Sequence, residues 1–207
     1  MNRYLRLVWL LLGLGAFVFL GVLFVLPSRW EVERRRDVAA PPARVFAQLD
    51  DLRAWRDWSP WREDAYPGLV FRYSGPPRGK GAEVSWNSEA TGDGTLRIVE
   101  SVPPRRLAFT MAFQRGKIRA RDTLLLEPLP GGRTRVVWTD RGTLGRTLLG
   151  RLSLPVIEES MGRDLERGLA ALATVCEKSG GAVPVTAEDP AAMASDVPAA
   201  PTKVLRR

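Results

Sequence analysis

Residues 69–141 alternate apolar and polar side chains with a period of two, and this pattern limits the fold more than any other feature of the chain. Turn-forming sequences interrupt the alternation at five places, namely SGPP at 74–77, GDG at 92–94, PP at 103–104, QRG at 114–116 and PGG at 130–132. Alternation with such punctuation is typical of strands that bury one face. Turns this short join antiparallel neighbours. The segment therefore predicts six short strands in an antiparallel sheet.

A long amphipathic helix is predicted after these strands, over residues 156–178. Its apolar positions recur at steps of three and four: Ile157, Met161, Leu165, Leu169, Leu172 and Cys176. Before the strands, residues 30–33 alternate like a first strand, and residues 43–52 have helical spacing behind two prolines. A curved sheet with one apolar face and a helix with one apolar stripe bury both surfaces when the sheet wraps around the helix. The fold class predicted is therefore α+β.

The N-terminal residues predict a membrane anchor. Residues 7–26 contain no charged side chain, and at 1.5 Å per residue they cover the roughly 30 Å hydrocarbon core of a bilayer. The sequence after them offers no small-x-small cleavage site for a signal peptidase. We therefore expect a transmembrane helix in 1–29, a folded domain in 30–179 and a disordered Ala/Pro-rich tail in 180–207. The expected localisation is a single-pass membrane protein, and the excess of arginine after the helix favours a cytoplasmic domain.

Residue counts exclude several kinds of chemistry. The 207-residue chain contains one cysteine and no histidine. These counts rule out an internal disulfide, a multi-cysteine or His-zinc site, and Ser–His or Cys–His catalysis. We expect neither a metal nor a cofactor. The net charge of +8 favours an anionic partner without identifying it.

Several local sequences resemble one protein family. They are APPARVF at 40–46, WRDWSPW at 55–61, GKGA at 79–82 with Trp86, ESVPP at 100–104 and TRVVW at 134–138. Together with the order of elements, they resemble the START-like, polyketide-cyclase-like (SRPBCC) superfamily over residues 30–178, in a membrane-anchored bacterial branch. The resemblance implies a helix-grip fold with a deep cavity between sheet and helix for lipids, polyketides or other apolar molecules. It carries over no fixed catalytic residues.

The predicted wrap places one set of apolar side chains around such a cavity. These candidate ligand-binding residues are Trp55, Trp58, Trp61, Trp86, Phe109, Met111, Phe113, Met161, Leu165 and Leu169. The three tryptophans of residues 55–61 have two interpretations, a hydrophobic plug at one end of the domain or a lip that contacts the ligand. We expect the domain to bind a hydrophobic small molecule or lipid rather than to act as an enzyme.

Two carboxylates are candidates for an alternative, enzymatic function. Alternation places Glu100 on the face of Leu96 and Ile98, and Asp122 on the face of Leu124. If those faces are internal, a desolvated carboxyl group has a raised pKa and can act as a general acid or base in a cyclase or hydrolase. The structural alternative is that each carboxylate forms an ion pair with an arginine.

A basic strand face offers a second kind of contact. Arg115, Lys117, Arg119 and Arg121 fall on alternate positions. The face is either simply solvated, or contacts anionic lipid headgroups, or binds a protein in an assembly or adaptor role. We do not expect nucleic acid as a partner, because no aromatic–glycine reader motif accompanies the basic positions.

Overall fold

The structure is a computed structural model that describes residues 3–25, 28–62, 69–88, 92–113, 116, 118–144 and 148–178. The helices are α1 (Arg3–Val25), α2 (Pro42–Leu49), α3 (Leu148–Leu152) and α4 (Leu154–Lys178), with a 3₁₀ turn at Ala54–Asp57. The strands are β1 (Arg29–Val38), β2 (Val70–Ser74), β3 (Glu83–Ser88), β4 (Gly92–Val102), β5 (Arg106–Phe113), β6 (Ile118–Leu129) and β7 (Arg133–Leu144).

The seven strands form one curved antiparallel sheet in the order β1-β7-β6-β5-β4-β3-β2. The six strands β2 to β7 follow the chain as a meander, which confirms the prediction from alternation and short turns. β1 lies at the edge of the sheet opposite β2. It pairs with β7 over its whole length, from Arg29 opposite Thr143 to Val38 opposite Thr134. Helix α4 packs against this sheet and against α2.

Alternation along each strand puts apolar side chains on the inner face. The pattern is clearest on β5, where Leu107, Phe109 and Met111 are buried. The α4 stripe meets this face with Leu165, Leu169, Leu172 and Cys176 fully or almost fully buried. The α+β class, the curved sheet and the long C-terminal helix are thus confirmed.

The predicted transmembrane helix is wrong. A helix does form over Arg3–Val25, but it begins four residues before the uncharged run and includes Arg3 and Arg6 in its first turns. Among the residues that the structure describes, no helix combines the length and the apolar character that crossing a membrane requires. The expectation of a single-pass membrane protein, with its cytoplasmic orientation, is therefore corrected. The predicted tail at 180–207 lies outside the described residues.

Candidate functional site

An apolar cavity of about 230 Å³ lies between the inner face of the sheet and the turn that follows α2. The strands β2 to β5 supply most of its wall, and residues 52–61 close it from above. The lining side chains are Leu52, Trp55, Arg56, Ser59, Trp61, Leu69, Phe71, Tyr73, Val84, Trp86, Leu96, Met111 and Phe113. Six of these thirteen residues are aromatic, so the cavity presents ring faces and ring edges to an occupant.

The aromatic side chains of the sheet support one another. The ring of Trp86 lies edge-on to Phe71, with centroids 6.1 Å apart, and to Phe113, with centroids 5.6 Å apart. Phe71 in turn contacts Tyr73 at 6.4 Å. Edge-to-face pairs at such distances are favourable beyond the area they bury. The wall of the cavity is therefore held in one arrangement by its own rings.

Trp86 also depends on a glycine of the neighbouring strand. Gly94 of β4 pairs with Trp86 of β3, and the indole lies directly over it. A Cβ atom built on Gly94 would stand 2.2 Å from Cζ2 of Trp86, far inside van der Waals contact. The glycine thus leaves the space that the indole occupies and sets its position against the cavity.

The turn above the cavity is fixed by its tryptophans. Trp55 donates its indole N–H to the carbonyl of Leu49 at 2.9 Å, and Trp58 donates to the carbonyl of Gln48 at 3.2 Å. The two indoles contact each other with centroids 4.8 Å apart. Both bonds tie the turn to the C-terminal end of α2. The turn is therefore anchored to the domain while Trp55 and Trp61 face the cavity.

The structure divides the predicted ligand-binding residues into two groups. Five of them line the cavity, namely Trp55, Trp61, Trp86, Met111 and Phe113. The other five, Trp58, Phe109, Met161, Leu165 and Leu169, are not part of its wall and belong to the hydrophobic core or pack against it. Of the three tryptophans of the turn, Trp58 fills the core while Trp55 and Trp61 line the cavity, and their contact with a ligand stays a prediction.

Sequence reasoning missed the contribution of β2. Phe71 and Tyr73 line the cavity, and their alternate spacing in a run that ends at Ser74-Gly75-Pro76 was a signal for an inward-facing pair. The predicted helix stripe was placed in the cavity instead. In the structure α4 covers the other half of the sheet, where it packs most closely on β1.

Of the two candidate carboxylates, Glu100 lies away from the interior. The pairing of β4 with β5 shifts register between Ile98 and Glu100, and this bulge ends the alternation that would have turned Glu100 inward. Its carboxylate is one-third exposed and lies 3.4 Å from Arg106 and 3.9 Å from Arg121. The ion-pair alternative therefore describes Glu100.

Asp122 does lie on the inner face, and it faces a second buried acid. Asp122 on β6 and Asp140 on β7 are directly opposed across the two strands. Both side chains are 1% exposed. Trp138 donates its indole N–H to Oδ1 of Asp122 at 2.8 Å, and Trp30 donates to Oδ2 of Asp140 at 2.9 Å. Neither carboxyl lines the cavity.

Burial dominates the protonation of these acids. It raises the pKa of Asp122 well above the ordinary value, and the nearby Asp140 raises it further, while the bond from Trp138 lowers it. Burial likewise raises the pKa of Asp140 to about 6 against the lowering effect of Trp30. The single thiol is also affected, since burial raises the pKa of Cys176 to about 11. A thiol with so high a pKa is not a nucleophile at neutral pH.

The basic strand face is described in part. Arg115 and Lys117 lie outside the described residues. Arg119 and Arg121 are exposed on the outer face of β6, where Arg121 lies 3.9 Å from Glu100 and Arg119 donates to the carbonyl of Gly116. A contact of this face with lipid headgroups or with a protein stays a prediction, as does the absence of a nucleic-acid partner.

Comparison with known proteins supports the observed fold. A family model described as "Polyketide cyclase / dehydrase and lipid transport" matches residues 29–177. The match covers every strand and all but the last residue of α4. None of the curated proteins compared matches the chain.

Solved structures share the architecture. One from Chromobacterium violaceum is 21% identical, covers 71% of this chain and 96% of its own, and superposes with a TM-score of 0.53. A solution structure from Thermobifida fusca is 26% identical, with coverage of 72% and 93% and a TM-score of 0.53. A norcoclaurine synthase mutant from Thalictrum flavum, in complex with a transition-state analogue, is 12% identical, with coverage of 73% and 96% and a TM-score of 0.57. At 12% and 21% identity the likeness establishes the fold alone.

Proposed function

Because the chain belongs to the polyketide cyclase / dehydrase and lipid transport family, we propose that its domain binds one compact hydrophobic molecule in the 230 Å³ cavity and releases it unchanged. The family supports ligand binding in a cavity at a general level. The observation that carries the proposal for this chain is the aromatic cavity between the tryptophan turn and β2 to β5.

The volume restricts the class of ligand. Small-molecule sites commonly measure roughly 300–1,000 Å³, so this cavity is small for its kind. A molecule of one or two rings fits that space, whereas two acyl chains do not. The ring-lined wall favours such a molecule because edge and face contacts with an aromatic ligand repeat those among Trp86, Phe71 and Phe113.

Arg56 provides a polar contact at the cavity. It contributes to the lining, yet its side chain is largely exposed and its Nε lies 3.6 Å from Asp57. An exposed ion pair of this length contributes little to stability and is easily exchanged for another partner. We propose that the ligand carries a hydroxyl or an acidic group that contacts Arg56, while its ring system lies against Trp86 and Phe71.

The residues that line the cavity support binding of the ligand without a catalysed reaction. Among the lining residues that the structure describes, Arg56, Ser59 and the phenol of Tyr73 are polar, the tryptophans carry an indole N–H, and the rest are apolar. The guanidinium of arginine stays protonated and cannot serve as a general base. The buried acids Asp122 and Asp140 lie outside this wall.

The test is identification of the bound molecule. The full-length protein is purified, extracted with organic solvent and compared by mass spectrometry with a Trp86→Ala preparation. We expect one compact ring compound in the wild type and its loss from the variant. Incubating that compound with fresh protein should return it unchanged. Recovery of a two-chain lipid would contradict the proposed ligand class, and turnover of the compound would establish an enzyme.

A further inference from the structure

Asp122 and Asp140 each have one carboxyl oxygen atom without a hydrogen-bond partner among the described residues. The indoles of Trp138 and Trp30 satisfy one oxygen of each carboxyl group. The remaining oxygens, Oδ2 of Asp122 and Oδ1 of Asp140, are buried and accept no hydrogen bond from the described residues. A buried acceptor without a partner destabilises the folded state, and it does so more strongly when it carries charge. The fold would not place two such oxygens on opposed positions without compensation.

One proton resolves both deficits. Directly opposed residues of antiparallel strands have Cβ atoms about 4.5–5.5 Å apart, so Asp122 and Asp140 are neighbours on the inner face. If Oδ2 of Asp122 carries a hydrogen, it can donate to Oδ1 of Asp140, and the pair then has one negative charge instead of two. That charge is delocalised over oxygens that already accept indole hydrogen bonds.

We propose that Asp122 and Asp140 form a proton-binding site that retains one shared proton at neutral pH and that weakens the fold when the proton leaves. The site is separate from the cavity and does not depend on the ligand proposed above. It lies under two indoles of the inner face, one of which, Trp138, contacts Trp58 and Trp61 of the tryptophan turn with centroids 5.9 and 6.0 Å apart.

The surroundings do not supply a counter-charge that would replace the proton. Burial is the first cause of the raised pKa of both acids, and the further influences are the partner acid and the two indoles. The elements packed against the inner sheet carry charged residues of their own, among them Arg44 on α2, Arg151 on α3, Arg34 on β1, and Asp164 and Glu166 on α4. Of these, Arg34 pairs with Glu166 at 2.6 Å, and Asp164 pairs with Arg167. None of them is a cause of the shift at either acid in the described part of the chain.

The direction of the pH effect follows from the raised pKa. In the unfolded chain both acids have a pKa near 3.8, whereas in the folded domain burial raises the pKa of Asp140 to about 6 and raises that of Asp122 well above its ordinary value. Between the unfolded and the folded pKa values the folded state therefore holds more protons than the unfolded state. The stability that the pair contributes is complete below the unfolded value and is lost as pH rises through 6 and beyond.

The experiment compares unfolding of full-length wild type with Asp122→Asn. The amide of the new side chain donates to Asp140 as the protonated acid does, but it cannot be deprotonated. We expect the ratio of the wild-type to the variant unfolding constant to rise by up to about tenfold per pH unit between about pH 5 and pH 8.5. Asp37→Asn is the control, since the hydrogen bond from Arg135 lowers the pKa of that partly exposed acid and moves its titration below this window.

A direct readout covers the case in which the Asn variant does not fold. The side-chain carboxyl carbons of wild type are followed by NMR through a pH titration. We expect two aspartate signals to titrate together, with the last proton lost above pH 6. A wild-type ratio that stays flat across the window, or the finding that all aspartates have lost their protons by about pH 5, would overturn the proposal.

Discussion

Two glycines of this domain each leave the space that a neighbouring indole ring occupies. Gly94 lies beneath Trp86, which lines the cavity, and Gly142 lies beneath Trp30, which bonds the buried acid Asp140. In each case a Cβ atom would stand about 2 Å from the ring, at 2.2 Å for Gly94 and 1.9 Å for Gly142. A glycine on the neighbouring strand therefore makes room for a ring of the cavity wall in one place and for a ring of the core in the other.

Substitution of these glycines separates binding from stability. Gly94→Ala should push Trp86 into the cavity and lower affinity for an apolar ring probe by at least about tenfold, the effect of 1.4 kcal/mol. Gly142→Ala should lower the free energy of unfolding by about 1–3 kcal/mol, because the added methyl group overpacks the core. It should leave the affinity of the folded protein for the probe unchanged. Isothermal titration with a fluorescent naphthalene probe, together with denaturant unfolding, measures both quantities. Equal losses of affinity in the two variants would argue that the cavity is not the binding site.

At the scale of elements, the regular alternation of apolar and polar residues could be predicted from the sequence, whereas the bulge that interrupts it could not. The strands of residues 69–141 follow the period of two, so their number and antiparallel order could be predicted. The bulge after Ile98 carries no glycine or proline that marks it, and it moved Glu100 to the outer side where it meets Arg106 and Arg121. Asp122 kept its predicted face because β6 pairs with both neighbours without a shift.

The position of the cavity along the sheet was also beyond the sequence pattern. Alternation tells which side chains point inward, but it does not tell which part of the inner face the helix covers. Met161, Leu165 and Leu169 have the helical spacing of a buried stripe, and they are used to pack α4 rather than to line the cavity. The choice depends on where the tryptophan turn meets the sheet, which is a matter of three-dimensional packing.

Helix α4 carries two glycines whose neighbours differ in stiffness. A Cβ atom on Gly168 would stand 3.0 Å from both Cδ of Pro60 and Cζ3 of Trp138, which are parts of rigid rings. A Cβ atom on Gly162 would stand 2.3 Å from Nη2 of Arg34, the end of a flexible side chain. Close approach of α4 to the tryptophan turn therefore depends on Gly168.

The matched substitutions Gly168→Ala and Gly162→Ala test this dependence. Alanine favours a helix over glycine by about 1 kcal/mol, so Gly162→Ala should stabilise the domain by up to that amount once Arg34 has moved aside. The exposed bond from Arg34 to Glu166 that it disturbs contributes little. Gly168→Ala should instead lower the free energy of unfolding by about 1 kcal/mol, because two rings must shift. Urea titration of both variants checks the order, and a stabilised Gly168→Ala would show that the contact yields without cost.

For the whole molecule, the buried core defines what folds together. Its described members run from Trp30 to Cys176 and come from every element between β1 and α4 except β2 and α3, and Phe71 and Tyr73 of β2 are partly buried against it. By contrast, Tyr4, Trp9 and Phe17 of α1 are each at least 65% exposed. Residues that share one core are expected to unfold together, because opening that core removes the packing contacts of all of them at once.

We therefore propose that residues 28–178 form an autonomous domain that does not need α1. A fragment of those residues should unfold in a single transition with the same denaturant midpoint as the full-length chain, because none of the α1 side chains that the structure describes belongs to the core. It should also retain the naphthalene probe with equal affinity, since the lining residues that the structure describes all lie between Leu52 and Phe113. Circular dichroism and fluorescence, followed on both proteins over the same urea series, measure the two properties. As a control, removal of residues 170–178 should abolish folding, because Leu172, Ala173 and Cys176 are core residues. A fragment that starts at 28 and unfolds at markedly lower urea than the full chain would show that α1 stabilises the domain through contacts outside this core.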